Sequence, residues 1–432
     1  MSTTTTHIEK KKMLAPKLRF KDFREDWVTR TLEEVSDTFK SGESITSKEI
    51  FDSAEFPVYG GNGLRGYTNT FTHEGFYVLI GRQGALCGNI NRVNGKSYIS
   101  EHAIAVRANN LADTEWLAQK LDDMKLNRLS ESSAQPGLAV GKLLKLKLPF
   151  PTLPEQQKIA TFLSAIDEKI QQLTRKKELL EQYKKGVMQR LFLSESMSEL
   201  GFIGFKDDRI PEDETNPKIL SSKKSKFRPL RFKPDFAKAT SGSDENGKAY
   251  PRWEEKRLGE VCTFFSGGTP ASTNKKFYSG TIPFIGSGNI YDSEVFSFIS
   301  DEALNSSSAK MVGKGDLLYA LYGANSGEVA ISKINGAINQ AILCIRSEEC
   351  IEYLYYILLL DKDKIVAKYL QGGQGNLSAN IIKKLKFKLP SIDEQQKIAS
   401  YLSSLDTKIE TVATQIAQSQ TFKKGLLQEM FV

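Results

Sequence analysis

Two stretches of the chain place apolar residues at alternating steps of four and three. The first runs Ile159, Leu163, Ile166, Ile170, Leu173, Leu180, Val187 and Leu191. The second runs Ile398, Leu402, Leu405, Ile409, Val412, Ile416, Leu426 and Met430. This spacing keeps one apolar stripe facing a partner, so each stretch predicts a long helix with a coiled-coil seam. Each opens with a capping box, Thr152-x-x-Glu155 or Ser391-x-x-Glu394, behind Pro151 or Pro390. Such a box satisfies amides that the first turn leaves free. Lys177 and Lys184 interrupt the first stripe, and Ser419 and Lys423 the second; polar faults of this kind set register or end a seam. A plainer reading, in which the helices only complete each domain's core, stays open. Elsewhere Phe76–Ile80, Tyr98–Val106, Asp316–Tyr322 and Ala341–Ile345 are β-type runs between Gly/Asn turns. Asp113–Leu129 and Cys350–Leu370 carry amphipathic helical spacing.

The two seams are copies. EQQKIATFLSAIDEKI begins at Glu155 and EQQKIASYLSSLDTKI at Glu394, an offset of 239 residues. The same offset aligns Gln135 with Gln374, Leu138 with Leu377, and YKKGVMQRLF (from Tyr183) with FKKGLLQEMF (from Phe422). An internal duplication explains this. Trp27-x-x-x-x-Leu32-x-x-Val35 matches Trp253-x-x-x-x-Leu258-x-x-Val261 at an offset of 226, so the second variable block is longer by 13 residues. Leu18-Arg-Phe20 returns as Leu230-Arg-Phe232, near which the second module begins. Residues 194–250, rich in Ser, Lys, Asp and Pro, read mostly as linker. The predicted order is a disordered tail (1–15), a mixed domain (16–152), a helix (153–192), a linker (193–228), a second mixed domain (229–391) and a second helix (392–432). The fold class is α+β, with two pseudo-symmetric mixed α/β domains. A twofold relation between the copies would pair their helices antiparallel within one chain. About 35 residues at a rise of 1.5 Å make a rod of roughly 50 Å, the length of about 15 base pairs.

Composition narrows the function classes. Apolar residues make up 40% and charged residues 26% of 432, ordinary for a folded soluble chain. A formal charge of +8 leans towards an anionic partner. The four cysteines form no C-x-x-C pair and the three histidines lie far apart, which argues against a disulfide framework or metal site. The N-terminal MSTTTTHIEKKK has no apolar core of a secretory signal. The longest apolar run, Ile351–Leu360, is too short to span a membrane. A cytoplasmic protein is expected.

The motif most suggestive of an enzyme fails on context. Gly61, Gly63 and Gly66 spell G-x-G-x-x-G, yet a polar, Pro-broken stretch precedes them and no helical spacing follows. Between Glu74 and Glu101 no acidic residue is placed to hold a ribose. Gly95-Lys96-Ser97 ends like a phosphate loop, but Ile90 stands where the first glycine belongs. The Asp/Asn-Pro-Pro-aromatic tetrapeptide of an amino methyltransferase is absent from the sequence. What remains is a set of loop residues suited to DNA. In the first domain they are Tyr59, Asn62, Arg65, Tyr67, Arg82, Gln83, Arg92 and Gln135. In the second they are Lys275, Lys276, Tyr278, Ser287, Asn289, Tyr322, Asn325, Asn339, Gln340 and Gln374. Arg, Asn and Gln bond base edges bidentately, whereas Lys, Ser and backbone amides hold phosphates.

This layout resembles the specificity subunit of type I restriction–modification systems. The resemblance rests on LKLPFPTLPEQQKIA (Leu146–Ala160), LKFKLPSIDEQQKIA (Leu385–Ala399), Trp27 with Leu32, and DENGKAYPRWEEKRL (Asp244–Leu258). It implies two target recognition domains, each reading half of a bipartite duplex, with an antiparallel coiled coil setting the spacer. It also implies a chain without catalysis or cofactor of its own. Two methyltransferase subunits would dock on the helices and carry S-adenosylmethionine, and motor–nuclease subunits would bring ATP and Mg. The resemblance further implies a prokaryotic, nucleoid-associated protein. The seam residues Ile159, Leu163, Ile166, Ile170, Leu173, Ile398, Leu402, Leu405, Ile409 and Val412 would form the coiled-coil and subunit interface. A different class, a coiled-coil scaffold whose β-rich domains bind protein or RNA, remains the alternative.

Overall fold

The structure, a computed structural model, describes residues 15–84, 86–130, 137–192, 253–369 and 376–431, with the backbone of 231–232 and 239–240. Most of the expected tail, the linker 193–228, Gln135 and Gln374 lie outside the described residues.

The first repeat begins with β1 (Val28–Thr31), the short helix α1 (Leu32–Val35) and β2 (Ser36–Ser41). Next come β3 (Phe56–Gly60), β4 (Gly63–Thr68), β5 (His73–Glu74), β6 (Tyr77–Gly81), β7 (Ile90–Val93), β8 (Lys96–Ile99) and β9 (Ala103–Ala108). Helices α2 (Thr114–Asp123) and α3 (Val140–Leu144) and strand β10 (Lys147–Phe150) lead into the long helix α4 (Leu153–Phe192). Two four-stranded sheets result, ordered β2-β9-β6-β7 and β4-β3-β8-β5, with β1 and β10 closing a two-stranded clasp. The strand YVLIG of β6 is buried along its whole length, as a central strand between two layers requires.

The second repeat follows the same plan. A two-residue pair, β11 (Arg231–Phe232) and β12 (Ala239–Thr240), precedes β13 (Glu254–Arg257), α5 (Leu258–Val261), β14 (Cys262–Ser266) and β15 (Ile282–Ile285). Then come β16 (Phe298–Ile299), α6 (Asp301–Ser306), β17 (Lys310–Val312), β18 (Leu317–Ala320), β19 (Val329–Ile331), β20 (Gly336–Ile338) and β21 (Ile342–Ser347). The chain closes with α7 (Ile351–Tyr369), α8 (Ala379–Lys384), β22 (Lys386–Leu389) and α9 (Ile392–Met430). The sheet orders are β14-β21-β18-β19 and β16-β15-β20-β17, with a β13–β22 clasp. One parallel pair occurs at the same place in each repeat, Val58 with Tyr98 and Phe284 with Ala337.

Two sequence expectations need correction. The run Tyr98–Val106 is not one strand: Ala103 N–H donates to Ser100 O (3.0 Å) in a turn that sends β8 and β9 into different sheets. The helix expected over Asp113–Leu129 stops at Asp123, and Lys125 takes a left-handed φ of 52°. The β6–β7 loop presses on the chain there. A Cβ on Gly88 would stand 2.4 Å from Asn127 N.

Two compact units divide the chain, residues 1–176 with 412–432, and residues 177–411. In the first, Trp27, Trp116, Leu121 and Phe150 pack with Ile159 and Leu163 of α4, with Leu426 and Met430 of α9, and with Phe431 just after it. In the second, Leu258, Tyr353 and Phe387 pack with Val187 and Leu191 of α4 and with Ile398, Leu402 and Leu405 of α9. Early α4 meets late α9 in one unit and late α4 meets early α9 in the other, so the helices run antiparallel in both. The two readings of the seam therefore merge: its outer positions are core residues of the two compact units. Ile166, Ile170, Leu173 and Ile409 are half-buried, and Val412 is buried.

Each seam fault near a helix end has a charged partner on the facing helix. Lys423 Nζ lies 2.6 Å from Asp167 in the first unit, and Lys184 Nζ lies 2.5 Å from Asp406 in the second. Lys184 and Lys423 are equivalent in the duplication, as are Asp167 and Asp406. These bonds fix the register of the antiparallel pair. Lys423→Asp sets two carboxylates face to face, and the first unit is expected to lose about 1–3 kcal/mol, partly screened by solvent. Adding Asp167→Lys should recover most of the thermal midpoint; no recovery would refute the register role.

Candidate nucleic-acid interface

The three glycines of the G-x-G-x-x-G stretch shape a β-hairpin. Gly60 pairs with Gly63 across the two-residue tip Gly61–Asn62. Gly61 lies flat on the end of β6, where a Cβ would meet His102 O at 2.7 Å and Gly81 Cα at 3.0 Å. Gly63 turns the chain with φ +97°. Gly66 (φ +148°) sits at the irregular step of the β3–β4 ladder, against Phe51 O. A strand, not a helix, follows the last glycine.

Around this tip, long-range bonds gather loops distant in sequence. Asn91 Nδ2 donates to Gly61 O (3.3 Å). Arg82 N–H donates to His102 O and Leu138 N–H to Arg82 O, both at 3.0 Å. Gln83 bridges Gly137, two residues past Gln135. The structure thus brings Asn62, Arg65, Arg82 and Gln83 to one end of the first unit. Asn62, Arg65 and Gln83 are exposed there, while Tyr59, Tyr67 and Arg82 are half-buried. The Arg65 stem lies over Gly60, whose Cβ would meet Arg65 Cδ at 2.7 Å. Arg92 points to a different use. Its Nε lies 2.8 Å from both carboxylate oxygens of Glu115, tying β7 to α2.

The second unit repeats the scaffold bond for bond. Leu321 N–H donates to Ala341 O (2.8 Å) and Leu377 N–H to Leu321 O (3.1 Å). These match the two bonds through Arg82, each 239 residues further on. The offset seen in the helices thus reaches back through β6 and β18, and the 13-residue difference falls between β3/β15 and β6/β18. Part of it is the loop 286–297, which replaces the tight tip of the first unit. That loop carries Ser287 and Asn289; the Asn325 amide stands 3.6 Å from where a Cβ on Gly288 would be. Tyr322 occupies the place of Gln83. Asn339 Oδ1 accepts from Ala341 N–H (3.0 Å), and Gln340 Oε1 accepts from the Thr269 hydroxyl (2.6 Å). Tyr278 donates to Pro270 O (2.7 Å) at the end of a turn on which Lys275 and Lys276 are exposed. Asn289 Nδ2 donates to Asp292 (2.8 Å), so part of its capacity is spent within the loop.

Sequence reasoning missed the braces behind these loops. Tyr291 donates to Glu328 (2.6 Å), which also pairs with Lys362. Burial and the Glu328 bond push the Tyr291 phenol above its usual range. Burial works against ionisation of Glu328, but bonds from Lys362 and Tyr291 bring its carboxylate below the ordinary value. At the root of each long helix stands the first glutamine of E-Q-Q-K. Gln156 accepts from Asp113 N–H (2.8 Å) and donates to Leu111 O and Pro151 O. Gln395 accepts from Cys350 N–H (3.2 Å) and donates to Glu349 and Pro390 O. Both are fully buried. The doubled motif pointed at them, but not at their role as struts between a long helix and its domain. Among the described residues no group of three or more His, Cys, Asp or Glu is placed to hold a metal ion, and no helix is long and apolar enough to cross a membrane.

Two similar β-rich units, each presenting polar loops at one end and completed by paired long helices, define a duplicated recognition protein. The family profile described as type I restriction modification DNA specificity domain matches twice, over residues 24–182 and 251–419, and the chain belongs to that family. It is 41% identical to the EcoprrI specificity subunit of Escherichia coli over 154 residues, 35% of this chain and 38% of that protein. It is 24% identical to the putative MjaX specificity subunit of Methanocaldococcus jannaschii over 93% of this chain and 92% of that one. The fold matches the crystal structure of a type I restriction–modification S subunit from M. genitalium with a TM-score of 0.65. That match has 17% identity and covers 97% of this chain and 99% of the other.

Proposed function

We propose that this chain is the non-catalytic DNA-reading subunit of a type I restriction–modification complex in a prokaryotic cytoplasm. Each unit reads one half of a bipartite duplex, and the helix pair sets the spacer and seats two methyltransferase subunits. Those subunits carry S-adenosylmethionine and the adenine chemistry, while motor–nuclease subunits supply ATP-driven cleavage. The observation that carries this reading is the loop cluster repeated at a fixed offset, with rigid scaffold bonds beneath and different side chains on top. Loops exchanged on one scaffold can change what is read without changing the fold.

Exchanging residues 21–152 for another recognition domain should change one half of the methylated sequence and leave the other intact, as sequencing of methylated adenines would record. An unaltered site would sink the proposal. Within the first unit, Arg65→Ala should weaken binding of the assembled complex about 5- to 150-fold, the worth of one bidentate guanine contact. The loss should fall on one position of one half-site. A uniform loss with a shallower salt dependence would instead place Arg65 on a phosphate.

A further inference from the structure

Phe296 is 93% exposed, although the loop that bears it is firmly held. Ile290 and Val295 of the same loop are buried, Asn289 bonds Asp292, and Tyr291 is tied to Glu328. A braced loop with one bare phenyl ring differs from a floppy loop with a stray hydrophobe. The register explains its placement. Pro283 pairs with Phe298, and Phe284 N–H donates to Ser297 O (2.8 Å), so the β15–β16 ladder ends just before Phe296. In the first unit Tyr59, the equivalent of Ile285, pairs with Leu64, which is 53% exposed. Each repeat therefore leaves a bare apolar side chain near the hairpin that follows its equivalent strand, Leu64 after β3 and Phe296 after β15.

We infer that Phe296 contacts the 5-methyl group of a thymine in the half-site read by the second unit; this rests on the DNA-reading function proposed above. The major groove offers one apolar feature, the thymine methyl, and it marks A·T pairs. Asn289 of the same loop, and Asn325, whose amide stands 3.6 Å from where a Cβ on Gly288 would be, have the amide that matches adenine. An asparagine and an exposed ring presented together suit the two bases of such a pair. In the first unit the exposed Leu64 is followed directly by Arg65, whose type suits guanine.

The test uses the complex assembled with its methyltransferase subunits and a duplex carrying its own site. Each thymine of the second unit's half-site is replaced in turn by uracil, which removes only the methyl. Wild type should bind about fourfold more weakly at one position, the worth of one buried methyl. Phe296→Ala should bind the thymine duplex as weakly as wild type binds that uracil duplex, with no further loss on uracil. Phe296→Leu should retain part of the discrimination, and uracil in the other half-site should leave the effect of Phe296→Ala unchanged. The inference is overturned if wild type ignores every uracil, if the alanine variant still discriminates, or if the half-site has no A·T pair. Loss of the methyltransferase subunits from Phe296→Ala would also overturn it, assigning the ring to a protein contact. A wild-type complex that binds no bipartite duplex at all would instead bring down the DNA-reading function, and this contact with it.

Discussion

Deleting residues 424–432 should unfold the first recognition unit while the second keeps its structure. The deletion removes Leu426, Met430 and Phe431, which are 8%, 2% and 8% exposed and belong to the core around Trp116. The Phe431 ring lies 5.8 Å from that of Trp116, which also meets Phe150 at a tilt (5.0 Å) and Trp27 edge to face (6.1 Å). Burying each such side chain is worth about 1.5–3 kcal/mol, so the loss is on the order of 6 kcal/mol. A whole domain commonly has only about 5–15 kcal/mol in hand. The chain has three tryptophans, and Trp253 is the only one in the second unit. A Trp253→Phe background therefore leaves fluorescence reporting on the first unit alone. Loss of its unfolding transition, with residues 253–411 still resistant to protease, is the expected result. An unchanged midpoint would refute the shared core.

Arg19→Ala is expected to cost about 3–5 kcal/mol, far more than removing the pair it belongs to. Arg19 Nε and one terminal nitrogen each lie 2.7 Å from a separate oxygen of Glu155, whose side chain is fully buried. That bond also raises the Arg19 guanidinium above its ordinary value. Losing the arginine leaves a buried carboxylate without its cation at the root of α4. Replacing Glu155 as well, with leucine, removes the charge that needs a partner, so the double variant should regain most of the lost stability. The comparison is read from chemical denaturation of the three proteins. Equal destabilisation of single and double variants would show that Arg19 acts through packing alone.

These two sites mark the limit of what the sequence reveals. The long helices, their duplication and their polar faults were legible because a heptad repeats within a few turns and a copy repeats it elsewhere. The identity of each mate was not, because antiparallel pairing joins residues such as Asp167 and Lys423 that are 256 positions apart. Arg19 and Glu155 are 136 apart because the segment before β1 packs on the start of α4. In the loop cluster, residue types suit DNA, but their grouping depends on bonds such as Arg82 to His102 and Leu138. The spacing of glycines within the tip carried no trace of those bonds. Arg92 shows the cost: by type it suits guanine, and its place beside Glu115 became visible only once α2 was folded against β7.

The division of the two units along the chain has a consequence for synthesis. Residues 177–411 are continuous, whereas the first unit draws on both 1–176 and 412–432. On a ribosome, the half made first must therefore wait, and the half made second is complete before it. A chain cut short by a late frameshift or stop codon would hold a finished second reader and an unfinished first one. Such a product would lack Leu426, Met430 and Phe431 from the core of the first unit, so the last turns of α9 act as a latch that closes it.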